Sequence, residues 1–146
     1  MTEIKTFTDI DAPVDKVWKI LTDFGNFPKW NPLIPKIDGR AGSGEKLTIS
    51  LRTPVGAPIE LQVTIVEFTK NKKLEWQGKS PFIEAILQGD HYFTLDRISE
   101  TKTRFHHGEK FAGWLEVILS GVIIEYGTPL YSEMNLAFKK ECEKNN

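Results

Sequence analysis

The sequence is short of most features that announce a function. It holds one cysteine, Cys142, so no intrachain disulfide and no cysteine-based metal site can form. Cys142 falls in the polar tail of the chain with no histidine near it in sequence, which argues against a catalytic thiol. Neither sign of charge is in excess, with 19 Lys and Arg against 20 Asp and Glu. That balance, and the scatter of the basic residues, gives no electrostatic footprint for nucleic acid or an anionic membrane. There is no long hydrophobic run: the most apolar stretch, 114–124, contains Glu116 and is too short to insert across a bilayer. The opening MTEIKTFTDID lacks a basic segment followed by an apolar one, so a cytoplasmic protein is expected.

Sequence motifs are sparse as well. The glycines of GRAGSG, 39–44, have the wrong spacing for a dinucleotide fingerprint, and a strand pattern rather than a helix follows them. Gly42-Ser43-Gly44 lacks the spacing of a nucleophile elbow. Both read as a turn, and no cofactor is called for. Without repeats, low-complexity segments or linkers, the 146 residues are expected to form one domain, 1–146, with a substantial core.

What is present is periodicity. Ile4 to Ile10 alternates as a first strand. Pro13 and Asp15 then mark a helix start, and Val14, Val17, Trp18 and Leu21 follow at helical spacing. The aromatic-rich FGNFPKWNP, 24–32, breaks that helix and reads as a second short helix or an ordered turn. From Ile34 to Phe111 the pattern is one of strands. A phase slip at Val66 and Phe68 points to a β-bulge, and Asn71-Lys72 to a hairpin turn. The last third is helical, with Leu115, Leu119, Val122, Tyr126, Leu130, Met134 and Phe138 at spacings of three or four. Pro129 inside it predicts a kink or a break. One antiparallel sheet of this size needs a cover on its apolar face, and the long helix is the natural one.

The last two strands carry an anomaly. Odd-numbered positions make one face: His91, Phe93 and Leu95, then Phe105, His107, Glu109 and Phe111. The apolar members turn this face inward, so two histidines and a glutamate are expected among core residues. A three-residue loop would set His91 opposite Glu109, whereas a register shifted by one pair would set Phe93 there. A buried carboxylate needs a partner, and His91 is the obvious one. Such a pair is either a structural tie, or a polar anchor or acid/base pair for a bound molecule. His106 and His107 point to opposite faces and cannot chelate one ion together. His91, His107 and Glu109 have no diagnostic metal-ligand spacing, so no metal site is expected.

The order strand, two short helices, about six strands, long helix resembles the START-like superfamily, also called Bet v 1-like or SRPBCC. The stretches that carry the resemblance are APVDKVW (12–18), FGNFPKWNP (24–32), LEWQG (74–78), GDHYF (89–93) and TRFHHGEKFAG (103–113). They look most like the branch labelled polyketide cyclase/dehydrase-like. The resemblance implies an α+β helix-grip fold: a curved antiparallel sheet of about seven strands wrapped around a long C-terminal helix. It also implies a cavity between sheet and helix that takes a small hydrophobic or amphipathic, lipid- or polyketide-like molecule. On that basis the expected ligand-binding set is Trp30, Trp76, His91, Phe93, His107, Glu109, Phe111, Tyr126 and Met134. Tyr126 would hydrogen-bond either the ligand or a backbone carbonyl. Phe82 to Ile86 reads either as a flap over the entrance or as an edge segment. Three functions compete: a small-molecule binder, a cyclase- or dehydratase-type enzyme using the His/Glu pair, and a co-chaperone-like interaction domain. A deep cavity favours the first two, a filled interior the third.

Overall fold

The computed structural model describes residues 2–53, 56–78 and 88–145. Seven strands make one antiparallel sheet: β1 (Thr2–Ile10), β2 (Lys36–Asp38), β3 (Lys46–Thr53), β4 (Gly56–Thr69), β5 (Lys73–Gly78), β6 (Gln88–Ser99) and β7 (Lys102–Ala112). Their order across the curved sheet is β1-β7-β6-β5-β4-β3-β2. Between β1 and β2 lie α1 (Val14–Leu21), a single 3₁₀ turn (Phe24–Asn26) and α2 (Phe27–Trp30). The chain ends in one 30-residue helix, α3 (Trp114–Glu143). This is the helix-grip fold that the family resemblance implies.

The strands form where alternation demands them. His91, Phe93 and Leu95 on β6 and Thr103, Phe105 and His107 on β7 are all buried, so the odd-numbered face does point inward. Leu74 and Trp76 on β5, Leu47 and Ile49 on β3, and Val63 and Ile65 on β4 extend that face across the sheet. The β4–β5 register shifts between Ile65 and Glu67, where the phase slip predicted a bulge, and Val66 is left exposed. Asn71 takes a positive φ of 62° in the β4–β5 turn, a conformation asparagine tolerates better than most residues.

α1 buries Val17, Trp18 and Leu21, and Phe24 and Phe27 continue that core. Asn31 then turns the chain toward β2, its Oδ1 accepting hydrogen bonds from the backbone N–H groups of Leu33 and Ile34 at 3.0 and 2.8 Å. α3 runs unbroken through Pro129, which excludes the break that the sequence left open. Pro129 and Glu125 lie on the exposed side, so the Glu125 carbonyl that loses its helical donor faces water. Gly127 brings the helix against Ile4 of β1, where an added Cβ would collide with the Ile4 side chain. The start of the helix is tied to the same strand by a hydrogen bond from Thr2 to the buried Glu116.

One expectation needs correction. Cys142 is not in a polar tail but fully buried on the inner side of α3, and burial pushes its thiol far above the ordinary cysteine range. Trp114 is 58% exposed at the start of the helix. The segment Phe82 to Ile86 lies outside the described residues. Among those described, no helix is long and apolar enough to cross a membrane.

Candidate functional site

The sheet and α3 do not meet along their whole length. The C-terminal half of the helix sits on the core: Tyr131, Met134, Asn135, Phe138 and Cys142 are buried. Nearer its N-terminus the helix stays against β1, and a cavity of about 880 Å³ opens between it and the strands beyond. Leu51, Leu61 and Phe111 wall it from the sheet, and Leu119, Ile123 and Leu130 from the helix. Ile59, Val122 and Tyr126 also line it but are each about half exposed, so they stand at its mouth. Arg52 on β3 reaches across the rim to Glu133 on α3, with N–O distances of 2.6 and 3.3 Å.

The lining is mostly apolar but includes Arg52, Thr53, Glu60, Gln62 and Tyr126 and, joined to a buried hydrogen-bond chain, Glu109 and Tyr131. The β6–β7 register sets His91 opposite Glu109, which decides between the two registers the sequence allowed. Glu109 Oε1 lies 3.1 Å from His91 Nδ1 and also accepts a hydrogen bond from the Tyr131 hydroxyl. His91 Nε2 is 2.7 Å from His107 Nε2. His107 Nδ1 is 2.8 Å from Asn135 Oδ1, and Asn135 Nδ2 donates to Thr6 Oγ1 at 2.8 Å. The Thr6 hydroxyl donates to the backbone carbonyl of His107 at 2.6 Å. The Tyr131 ring stacks on both imidazoles, with centroids 5.2 and 4.5 Å away.

The direction of this chain follows from its far end. A carbonyl can only accept, so the Thr6 hydroxyl is spent as donor, and its oxygen then accepts from Asn135. Asn135 therefore turns Oδ1 toward His107, and His107 Nδ1 carries a proton. Burial first, and the neighbouring His91 second, hold the His107 pKa well below the ordinary histidine value; Asn135 and the Tyr131 backbone act more weakly in the other sense. His107 is thus neutral near pH 7, and its Nε2 is a bare lone pair. His91 Nε2 must then be the donor across the 2.7 Å contact. One proton remains to be placed between His91 Nδ1 and Glu109 Oε1, and either partner can hold it. The pair is net neutral in both cases, as burial in an apolar surrounding requires.

The second carboxylate oxygen, Glu109 Oε2, stays out of the chain. It lies over the Cα of Gly89, where any Cβ would overlap it, and has no hydrogen-bond partner among the described residues. Both Gly89 and Glu109 are on the cavity wall. Tyr131 is held as a neutral phenol, since burial first and Glu109 second push its pKa far above the ordinary range.

Of the residues expected from sequence to bind a ligand, Glu109, Phe111 and Tyr126 line the cavity. His91 stands directly behind Glu109, and His107 behind His91. Trp76 packs on His91 and Phe93 on His107, at 5.2 and 4.8 Å between centroids, so both form the layer beneath the polar chain. Trp30 packs on Phe138 at 5.2 Å, and Met134 is fully buried. Neither is on the cavity wall. Sequence reading missed Tyr131, Asn135 and Thr6. The available signal was a Tyr and an Asn four residues apart, one position beyond the apolar series on α3. Among the described residues, no cluster of three or more His, Cys, Asp or Glu is arranged to hold a metal ion.

Residues 1–143 match the family described as polyketide cyclase / dehydrase and lipid transport. The chain belongs to that family. No curated protein matches the sequence. Among solved structures, the fold is similar to the ZhuI aromatase/cyclase from Streptomyces sp. R1128 at TM-score 0.79 and 13% identity, over 97% of this chain and 93% of that one. It is also similar to a START superfamily protein from Mycobacterium smegmatis at TM-score 0.77 and 13% identity, over 100% of both chains. Norcoclaurine synthase from Thalictrum flavum, in complex with dopamine and hydroxybenzaldehyde, aligns at TM-score 0.73 and 12% identity, over 99% of this chain and 88% of that one. At such identities the likeness shows a shared fold and nothing finer.

Proposed function

We propose that this domain binds a small hydrophobic or amphipathic molecule in the cavity between the sheet and the N-terminal half of α3. The observation that carries the reading is the cavity itself. Its volume of about 880 Å³ suits a small organic ligand, and its lining is mostly apolar with a few polar side chains. An apolar body would be stabilised by burial against Leu51, Leu61, Phe111 and Ile123, while Glu109 fixes its orientation. An unfilled interior of this size weighs against the interaction-domain reading. The test is titration with the neutral dye Nile red, with native mass spectrometry giving stoichiometry. One dye per chain, displaced by medium-chain amphiphiles, is expected; no saturable binding would overturn the proposal.

A second reading, proton transfer to or from the bound molecule, is favoured by one observation. The Glu109 carboxylate lines the cavity and is 3.1 Å from His91 Nδ1, with a second imidazole behind it, so a proton can pass between the ligand side and the histidines through the carboxylate. For a ligand that is turned over, Glu109→Gln is expected to lower kcat by about 100-fold or more, the usual worth of a positioned acid or base. Unchanged turnover in that variant would remove the reading.

A further inference from the structure

The direction of the hydrogen-bond chain restricts which ligand the cavity accepts, and this inference rests on the binding reading above. Thr6 and Asn135 fix the His107 tautomer, His107 fixes that of His91, and the last proton lies between His91 Nδ1 and Glu109 Oε1. The Tyr131 hydroxyl is already committed to the same oxygen. Whether the shared proton rests on His91 or on Oε1, Oε2 carries none. It lies over Gly89, which lines the cavity together with Glu109, and is an acceptor.

We infer that the cavity selects amphipathic molecules that present a neutral hydroxyl, alcoholic or phenolic, at their inner end. An acceptor on the floor needs a donor from the ligand. A keto, ether or ester oxygen placed there would set lone pair against lone pair and leave Oε2 desolvated without a partner. A carboxylate adds to that loss the cost of burying a charge with no counter-charge at the site. An ammonium supplies the donor, but the Glu109 charge is already balanced by the proton it shares with His91, so the cation would be buried without a counter-charge. A hydroxyl satisfies Oε2 at no charge cost.

The test compares ligands that differ only at the head: 1-decanol, methyl nonyl ether, decylamine and decanoate, each by displacement of Nile red from the wild-type chain at pH 7. One hydrogen bond to a carboxylate oxygen corresponds to about 10- to 100-fold in affinity. Decanol is therefore expected to bind at least about 10-fold tighter than the ether, with decylamine between them and decanoate weakest. Equal affinity for alcohol and ether, or tightest binding of decanoate, would overturn the hydroxyl rule while leaving the cavity reading intact. Failure of the dye itself to bind would overturn both. Glu109→Ala is expected to bring the alcohol-to-ether ratio near one; an unchanged ratio would place the recognition elsewhere. Because that variant removes a partner of His91 and Tyr131, imidazole nitrogen shifts on the wild-type protein supply an independent check. They are expected to show His91 protonated at Nε2 and His107 protonated at Nδ1 alone. A proton on His107 Nε2 would reverse the chain and sink the inference.

Discussion

The two halves of α3 face one sheet and meet it differently. Residues 114–128 are the more apolar in sequence, yet Val117 and Ile118 are 74% and 67% exposed and Val122 stands at a cavity mouth. Residues 129–143 carry more charge, yet Tyr131, Met134, Asn135, Phe138 and Cys142 are buried. What differs is the opposing surface. The C-terminal half has neighbours that fill the space: Trp30 from α2 and Phe105 from β7 pack on Phe138 at 5.2 and 4.6 Å between ring centroids. The N-terminal half faces Leu51, Leu61 and Phe111 across open volume. Several apolar residues in the first half border open volume, whereas those in the second pack into the core.

The comparison breaks most sharply at Phe138. Truncation to alanine removes a fully buried ring between two aromatic neighbours, and Phe→Ala in a packed core costs about 3–5 kcal/mol. Denaturant unfolding of Phe138→Ala is expected to show a loss in that range at unchanged m-value. A loss under about 1 kcal/mol would mean that the C-terminal half is as loosely seated as the other, and the contrast would dissolve.

A smaller effect tests the polar chain that separates the two regions. Burial holds the folded-state pKa of His107 below its unfolded value near 6.5. As pH falls through 6.5 the unfolded chain takes up a proton that the folded one refuses, so stability present above that pH is lost below it. The loss is at most about 1.4 kcal/mol per pH unit per proton. The carboxylates of Asp9 and Glu143 are also held low, chiefly by hydrogen bonds from Arg104 and Lys139, but they act only in the carboxylate range. Stability measured from pH 7 to pH 5 is expected to fall, and to fall less steeply in His107→Phe. Equal slopes in the two proteins would show that His107 is not the neutral link the chain requires.

How far the sequence foretells this arrangement depends on what sets each feature. Strands and helices follow from alternation and spacing, which are local, so the seven-strand sheet, the bulge after Ile65 and the long helix were legible. The inward turn of His91, His107 and Glu109 was legible for the same reason: parity in a strand leaves two faces, and Phe93 and Phe105 choose between them. The contact between His91 and Glu109 was not, because the loop allowed two registers. Tyr131 and Asn135 were missed because an inward helix face is broader than a single apolar series. Met134 and Phe138 mark its centre, and the flanking positions carry the polar chain. Tyr126 belongs to the same series as Met134 yet stands at the mouth, because helical period says which way a side chain points and nothing of what fills the space opposite.

The gentlest test sharpens the contrast from the unfilled side. Ile123 lines the cavity from the helix and is only partly buried, so Ile123→Trp would place added bulk in open volume rather than in packed core. Overpacking a filled site costs about 1–3 kcal/mol, but here no neighbour has to move, and a change within about 0.5 kcal/mol is expected. Nile red binding should nevertheless weaken by about 10-fold or more, since the indole takes space the dye needs and buries apolar wall that a ligand would otherwise cover. A variant that folds as stably as wild type and no longer binds would show that this half of the helix serves the ligand and not the fold. Strong destabilisation would instead mean that the cavity is closed in solution and that Ile123 already packs against the sheet.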